Sequence, residues 1–201
     1  MMPSRVSSSA DSDALPAADL IFVLAGRESR KLCALQVFRE GLAPALLLSV
    51  GRYEIRRFAL LPLPQPFDLL SLAAPLAPPL RHFFVSFTPG GVSAERVTLQ
   101  RFGTLSEVQA LSAWLRRHPH IRRILVISDK VHLPRVRLCC KKLLPPSIQL
   151  AFLPAPEGTA PAGMPVRARA SSLRYFLVEM AKLFVYRFVF AWRASATHAR
   201  R

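Results

Sequence analysis

His132 and Arg135 are the pair whose types and spacing most directly suggest chemistry. An imidazole can act as general acid or base at neutral pH, and a guanidinium binds phosphate or carboxylate through paired hydrogen bonds. The pair follows an apolar, β-branched run at residues 124–127, which predicts a strand buried on both faces. Open α/β sheets bind ligands in the loop after such a strand. The alternative for His132 is a histidine that starts a helix and bonds to backbone.

Thr104 and Glu107 form a second candidate pair, at the start of a helix predicted to run to about residue 118. Their spacing is that of a capping box, in which the Thr and Glu side chains satisfy backbone N–H groups at the helix start. Such a cap would explain both residues without a ligand, because it stabilises the helix by about 1 kcal/mol. The alternative is a ligand role, in which Glu107 orients His132 or serves as its partner base.

Two further apolar segments, residues 19–25 and 45–50, predict buried strands separated by a helix over about 29–40. This unit fits a right-handed parallel crossover. Gly26 and Gly51 follow the two strands, so both are expected at the carboxyl edge of the sheet. A lone glycine after a strand is more often a turn, and the sequence has no GxGxxG or Walker pattern.

The remaining elements are weaker in pattern. The proline-rich segment 61–80 is expected to form either a flap over the site or a surface loop without a special role. Residues 82–87 predict a strand, and residues 96–100 are expected to return beside it or to enter the main sheet. Residues 148–153 predict the last strand. The helix after Pro134 is expected to place Arg135 on its charged side.

The 201 residues, 51% of them apolar, are enough for one α/β domain with a core. The formal net charge of +16 favours anionic partners. Nucleic acid is not expected as a partner, because the sequence has no RNP strand, zinc finger or helix-turn-helix context. The three cysteines cannot form a disulfide framework and have no metal-ligand spacing, which favours a reducing compartment. We expect residues 1–18 to be a disordered tail and the chain to be cytoplasmic.

Residues 171–192 are a strong helix signal, with aromatic side chains on nearly all sides. Arg174, Glu179, Lys182 and Arg187 are too many charges for a comfortable membrane span. The helix is therefore expected either to close the α/β domain of residues 19–170 or to lie on a membrane surface, followed by a basic tail at 193–201.

Several motifs together resemble the YdcF-like superfamily, which includes bacterial cell-envelope proteins. They are GLAPALLLS at residues 41–49, TLSE at 104–107 and ILVISDKVHLPRVRLC at 124–139. The likeness covers roughly residues 19–155 and extends to the closing helix. It implies a Rossmann-like parallel α/β fold and a pocket at the carboxyl edge of the strands. It also implies pocket residues matching Gly26, Arg30, Ser49, Gly51, Thr104, Glu107, Ser128, His132 and Arg135.

The resemblance further implies a role in envelope polysaccharide or lipid-carrier processes, and S-adenosylmethionine as a possible cofactor. The sequence departs from the family pattern at Arg27 and Arg52, which occupy places where glycines would leave room for a diphosphate. We therefore predict a pocket for a smaller phosphorylated or carboxylated molecule, or a polyprenyl phosphate, held by arginines. His132 and Glu107 would be its catalytic residues. The alternative is a membrane-associated binding module without catalysis.

Overall fold

The chain folds as strands and helices arranged around one six-stranded sheet. The structure, a computed structural model, describes residues 17–99, 103–156, 177–188 and 190. The strands are β1 (Leu20–Val23), β2 (Leu46–Val50), β3 (Phe83–Thr88), β4 (Gly91–Arg96), β5 (Arg123–Asp129) and β6 (Gln149–Ala155). The helices are α1 (Glu28–Arg39), α2 (Ile55–Phe58), α3 (Leu69–Ala73), α4 (Gly103–Arg116), α5 (Leu133–Leu143) and α6, which comprises the described residues 177–188 and 190.

The strand order is β4-β3-β2-β1-β5-β6. The central strands β2, β1, β5 and β6 run parallel, whereas β3 and β4 form an antiparallel hairpin at one side. The predicted α/β, Rossmann-like class with a C-terminal helix is confirmed, although the sheet is mixed rather than wholly parallel. Because β3 is antiparallel to β2, the start of β3 lies at the same edge as the ends of the parallel strands. We call this the carboxyl edge.

Side chains along each strand alternate between two buried layers. Ile21 and Val23 of β1 pack on the side covered by α1, α2 and α3, which we call the α1 face. Leu20 and Phe22 pack on the side covered by α4, α5 and α6, the α4 face. Both layers are apolar and shielded from solvent. Full burial of one such side chain contributes about 1.5–3 kcal/mol to the stability of the folded chain. The same alternation decides which polar residues meet at the carboxyl edge.

Two sequence-based expectations about these elements are wrong. The strand that returns beside β3 begins at Gly91, not at Arg96, because a tight turn at Pro89 and Gly90 lets pairing resume at once. Gly91 has a φ of +119°, a conformation that favours glycine. Arg135 does not lie on the charged side of α5; it is buried on the same side as Cys139, four residues on.

Candidate functional site

Polar residues reach the carboxyl edge on both faces of the sheet. Ser49 of β2 and Ser128 of β5 fall on the α4 face, whereas Asp129 is one position on and falls on the α1 face. On the α4 face the polar residues form two separate groups. The pocket cluster consists of Ser49, His82 and Glu107, and the buried cluster consists of Thr104, Ser128, His132, Arg135 and Glu179.

A cavity of about 640 Å³ opens at the carboxyl edge beside β1, β2 and the start of β3. Its volume lies in the range of small-molecule sites. The proline-rich segment contributes Pro78 and Pro79 to its wall, consistent with a flap beside the cavity. The cavity is lined by Ala25, Gly26, Gly51, Arg52, Tyr53, Glu54, Arg57, Pro78, Pro79, Arg81, His82, Leu99, Gly103 and Glu107.

Ser49 joins the two titratable members of the pocket cluster. Its hydroxyl donates to Glu107 Oε1 at 2.6 Å and lies 2.7 Å from His82 Nε2. The backbone N–H of Ala25 donates to the same Glu107 oxygen at 2.8 Å. Because Ser49 gives its only hydrogen to Glu107, it accepts from His82 Nε2–H, which leaves His82 Nδ1 as the acceptor nitrogen. Ser49 therefore lies between the acid and the imidazole. In a hydrolytic triad the imidazole lies between the acid and the serine instead.

The pKa values of both titratable groups in this cluster are shifted. Burial lowers the pKa of His82 to about 4, and the nearby Lys31 charge acts in the same direction. Burial raises the pKa of Glu107, while hydrogen bonds from Ser49 and Ala25 oppose that rise. A neutral imidazole and a carboxyl of raised pKa in one cavity are the groups expected for proton transfer.

The Glu54 carboxylate accepts hydrogen bonds from the backbone N–H groups that follow β1 and β2. Its Oε1 accepts from the Gly26 N–H at 2.9 Å and from Lys31 Nζ at 2.5 Å, and its Oε2 accepts from the Gly51 N–H at 2.8 Å. The lysine is buried. Gly26 has a φ of +136°, and a Cβ there would lie 2.9 Å from Arg30. The glycine loops therefore hold a carboxylate of the protein itself.

Arg30 and Arg27 lie on the other side of β1. Arg30 donates to Ala25 O at 2.9 Å and to Asp129 at 2.6 Å, and it is buried. Arg27 lies 3.8 Å from the same carboxylate, with 59% of its side chain exposed. The loops after β1 and β5 leave toward opposite faces at this point, where α/β sheets commonly bind ligands. In this chain an ion pair fills that crevice.

The buried cluster contains His132 and Arg135, the candidate pair on either side of the start of α5. His132 Nδ1 lies 2.8 Å from Ser128 Oγ, and its Nε2 lies 3.3 Å from Thr104 Oγ1. Arg135 donates to Thr104 at 2.5 Å and, through two nitrogens, to Glu179 of α6 at 2.7 and 3.0 Å. Burial, with the Arg135 charge next, lowers the pKa of His132 to about 2.

The structure thus divides the predicted site residues into three groups. Gly26, Gly51, Arg52 and Glu107 line the cavity, with Ser49 bonded directly behind Glu107. Thr104, Ser128, His132 and Arg135 belong to the buried cluster, and none of them lines this cavity. Arg27 and Arg30 lie at Asp129, also outside the cavity lining.

Thr104 and Glu107 do not form a capping box. Thr104 lies inside α4, which begins at Gly103, and its hydroxyl contacts Arg135 and His132. The Glu107 carboxylate accepts from Ala25 and Ser49. Both side chains are buried against the carboxyl edge. The capping-box interpretation is therefore wrong, whereas a ligand role for these residues stays a prediction.

Sequence reasoning missed His82, Glu54, Arg57 and Arg81. His82 immediately precedes β3, and the antiparallel register pairs Phe84 with Ser49. An antiparallel pairing of residues 82–87 with 45–50 would have brought His82 to the cavity, but nothing local in the sequence indicates that direction. Glu54 carries a weak signal, since it is the acidic residue that follows the second strand.

Comparison of the chain with known protein families, curated proteins and solved structures finds no match. Within the described ranges, no group of three or more His, Cys, Asp or Glu side chains is placed to hold a metal ion. The same part of the chain contains no helix with the length and apolar character needed to cross a bilayer.

Proposed function

We propose that this chain is a pocket protein of the YdcF-like type that binds an anionic, phosphorylated small molecule or the head of a polyprenyl phosphate. The observation that carries the proposal is the cavity itself, which combines three arginines with the Glu107–Ser49–His82 arrangement at the carboxyl edge. The cavity lies at the carboxyl ends of β1 and β2, the edge at which α/β sheets bind ligands, next to the crevice between β1 and β5 that the Arg30–Asp129 ion pair fills. Its size suits a molecule of nucleotide or sugar-phosphate dimensions.

Anion binding is assigned to Arg52, Arg57 and Arg81. The first two are exposed, and Arg52 lies with its guanidinium 4.4 Å from the Tyr53 ring centre. Arg81 is half-buried and donates to Leu76 O at 2.8 Å, which fixes its direction. Planar guanidinium groups bind phosphate and carboxylate through paired hydrogen bonds. By contrast, Asp129 and Glu179 already engage the buried Arg30 and Arg135.

If the pocket catalyses a reaction of its ligand, proton transfer is assigned to Glu107 and His82 in place of His132. Both line the cavity, whereas His132 lies in the buried cluster. His82 Nδ1 offers a lone pair, so His82 would serve as the base. Glu107 has a raised pKa and would serve as the acid. Its Oε2 would carry the proton, because Oε1 accepts from two donors.

S-adenosylmethionine is the cofactor that the resemblance suggests, and the cavity fits it poorly in one respect. Nucleoside sites of this fold class commonly bind the ribose hydroxyls through an acidic residue after the second strand. Glu54 has that position, but both of its oxygens accept from Gly26, Gly51 and Lys31. The carboxylate is therefore engaged within the protein, and no step of the proposal uses this cofactor.

A thermal-shift screen is expected to find a ligand that raises the melting temperature of the wild type but not of an Arg52→Ala/Arg57→Ala variant. The screen would use nucleotides, sugar phosphates, a short polyprenyl phosphate and S-adenosylmethionine. A ligand present at 100 times its Kd stabilises the folded state by about 2.7 kcal/mol. Loss of the shift in the variant is expected because the two guanidinium groups would no longer contact the anion.

Arg116→Ala is the matched control, since Arg116 is an exposed arginine at the far end of α4. Flat melting curves for every compound, with all three proteins folded, would contradict the proposal. A Glu107→Gln variant then separates catalysis from binding. Its amide oxygen can still accept from Ala25 and Ser49, so a retained ligand shift with lost turnover would mark Glu107 as catalytic.

A further inference from the structure

Helix α6 buries polar side chains and exposes apolar ones. Glu179 is 3% exposed and Tyr186 is 6% exposed, and both face the α4 face. The opposite side carries large apolar side chains, with Phe184 at 72% and Phe188 at 73% exposed. We call this side the apolar face of α6. It consists of Leu177, Val178, Phe184, Val185 and Phe188.

Buried contacts fix the orientation of the helix. Arg135 binds Glu179 through two nitrogens, and its guanidinium carbon lies 5.3 Å from the centre of the Tyr186 ring. Tyr186 also packs in the apolar layer of the α4 face. Turning the apolar face inward would carry Glu179 into solvent and leave the buried Arg135 guanidinium without its carboxylate partner, at high cost. These buried contacts therefore hold α6 with its apolar face toward solvent.

The exposed side of α6 carries positive charge without negative charge. Arg187 is exposed, the Lys182 side chain is 48% exposed with its Nζ 3.0 Å from Glu179 Oε1, and the sole acidic residue among the described residues of α6 is that buried Glu179. The sequence after residue 190 adds three arginines and no acidic residue, within a chain of net charge +16. A second copy of this chain would bring the same cations together, so self-association through this face is disfavoured.

We propose that the apolar face of α6 docks on the surface of an anionic lipid bilayer, an interaction beyond the ligand pocket. Aromatic and aliphatic side chains would enter the boundary between headgroups and acyl chains, while Arg187 contacts anionic headgroups. A contiguous exposed apolar patch rimmed by cations fits such a surface. The helix would lie on the surface of the bilayer.

Vesicle cosedimentation of the full chain tests this proposal. The wild type is expected to bind phosphatidylcholine vesicles that contain phosphatidylglycerol about tenfold or more better than vesicles of phosphatidylcholine alone, and to lose that preference at high salt. Phe184→Ser/Phe188→Ser is expected to weaken binding by about tenfold or more. Arg187→Glu should weaken binding to the anionic vesicles without removing apolar area.

Leu60→Ser is the matched control, because Leu60 is 80% exposed and lies outside α6. It is expected to bind as the wild type does. Unaltered binding of the double-serine variant, or no wild-type binding to anionic vesicles, would overturn the proposal. Concentration-dependent self-association that the same serine variant abolishes, without vesicle binding, would overturn it in favour of a second copy. All substituted side chains are exposed, so circular dichroism should show unchanged folding.

Discussion

Arg135→Met is expected to lower the free energy of unfolding by about 3–5 kcal/mol. The substitution leaves Glu179, whose side chain is 3% exposed, without its two-nitrogen partner. Lys182 still contacts this carboxylate at 3.0 Å, but 48% of its side chain is in solvent and it compensates little. Denaturant unfolding at pH 7, followed by circular dichroism, measures the change. The loss should be accompanied by release of α6, detected as faster proteolysis near residues 177–188.

Two further variants isolate the cause of that loss. Arg135→Met/Glu179→Leu removes both charges and is expected to recover most of the stability, because replacing a buried ion pair by apolar side chains is often neutral. Arg137→Met, on the exposed side of α5, is expected to change stability by about 1 kcal/mol or less, although its guanidinium lies over the Phe152 ring. An Arg135→Met protein within that same margin of wild type would refute the structural role assigned to this ion pair.

Acidification from pH 7 to about pH 4.5 is expected to lower the free energy of unfolding by about 5 kcal/mol through two histidines. The folded-state pKa is about 4 for His82 and about 2 for His132, against an ordinary value of 6.5. Between pH 6.5 and about 4 the unfolded chain therefore binds two protons that the folded chain does not. Each histidine then removes about 1.4 kcal/mol for every pH unit of acidification.

Glu107 acts in the opposite sense over part of this range. Its raised folded-state pKa stabilises the folded chain as the pH falls toward its ordinary value of 4.5. Denaturant unfolding at a series of pH values measures the net slope. His82→Gln and His132→Asn should each reduce the slope, and the exposed His120→Gln serves as the control for loss of a histidine. A slope that neither buried-site variant changes would contradict the assignment.

The fold class could be predicted because its signals are local. Largely apolar segments at residues 19–25, 45–50 and 124–127 identify strands buried on both faces, and helical segments between them imply a parallel core. The direction of β3 could not be predicted in the same way. Residues 82–87 are equally apolar in either orientation, and only pairing with β2 decides that the strand begins at the carboxyl edge.

The site was predicted less well, because a sequence does not show whether an arginine pairs with a carboxylate of the protein or faces a ligand. Arg30 pairs with a residue 99 positions away, and Arg135 with one 44 positions away. Neither partner can be inferred from local spacing, so ligand contacts and internal ion pairs could not be distinguished. Glu107 and His132 lie on the same face of the sheet, but Glu107 bonds to Ser49 of β2 and lines the cavity, whereas His132 bonds to Ser128 of β5 outside the cavity lining.

The carboxylate of Glu54 gives the cavity an electrical polarity. Glu54 and Glu107 are largely buried in its inner wall, whereas Arg52 and Arg57 are exposed at its mouth. At the glycine loops, which in other proteins attract phosphate, the backbone N–H groups already donate to Glu54, whose charge is paired with Lys31, so they offer an incoming anion little attraction. For a ligand of the proposed kind, we therefore expect the acidic end to face the arginines at the mouth and a hydroxyl or amino end to face His82 and Glu107.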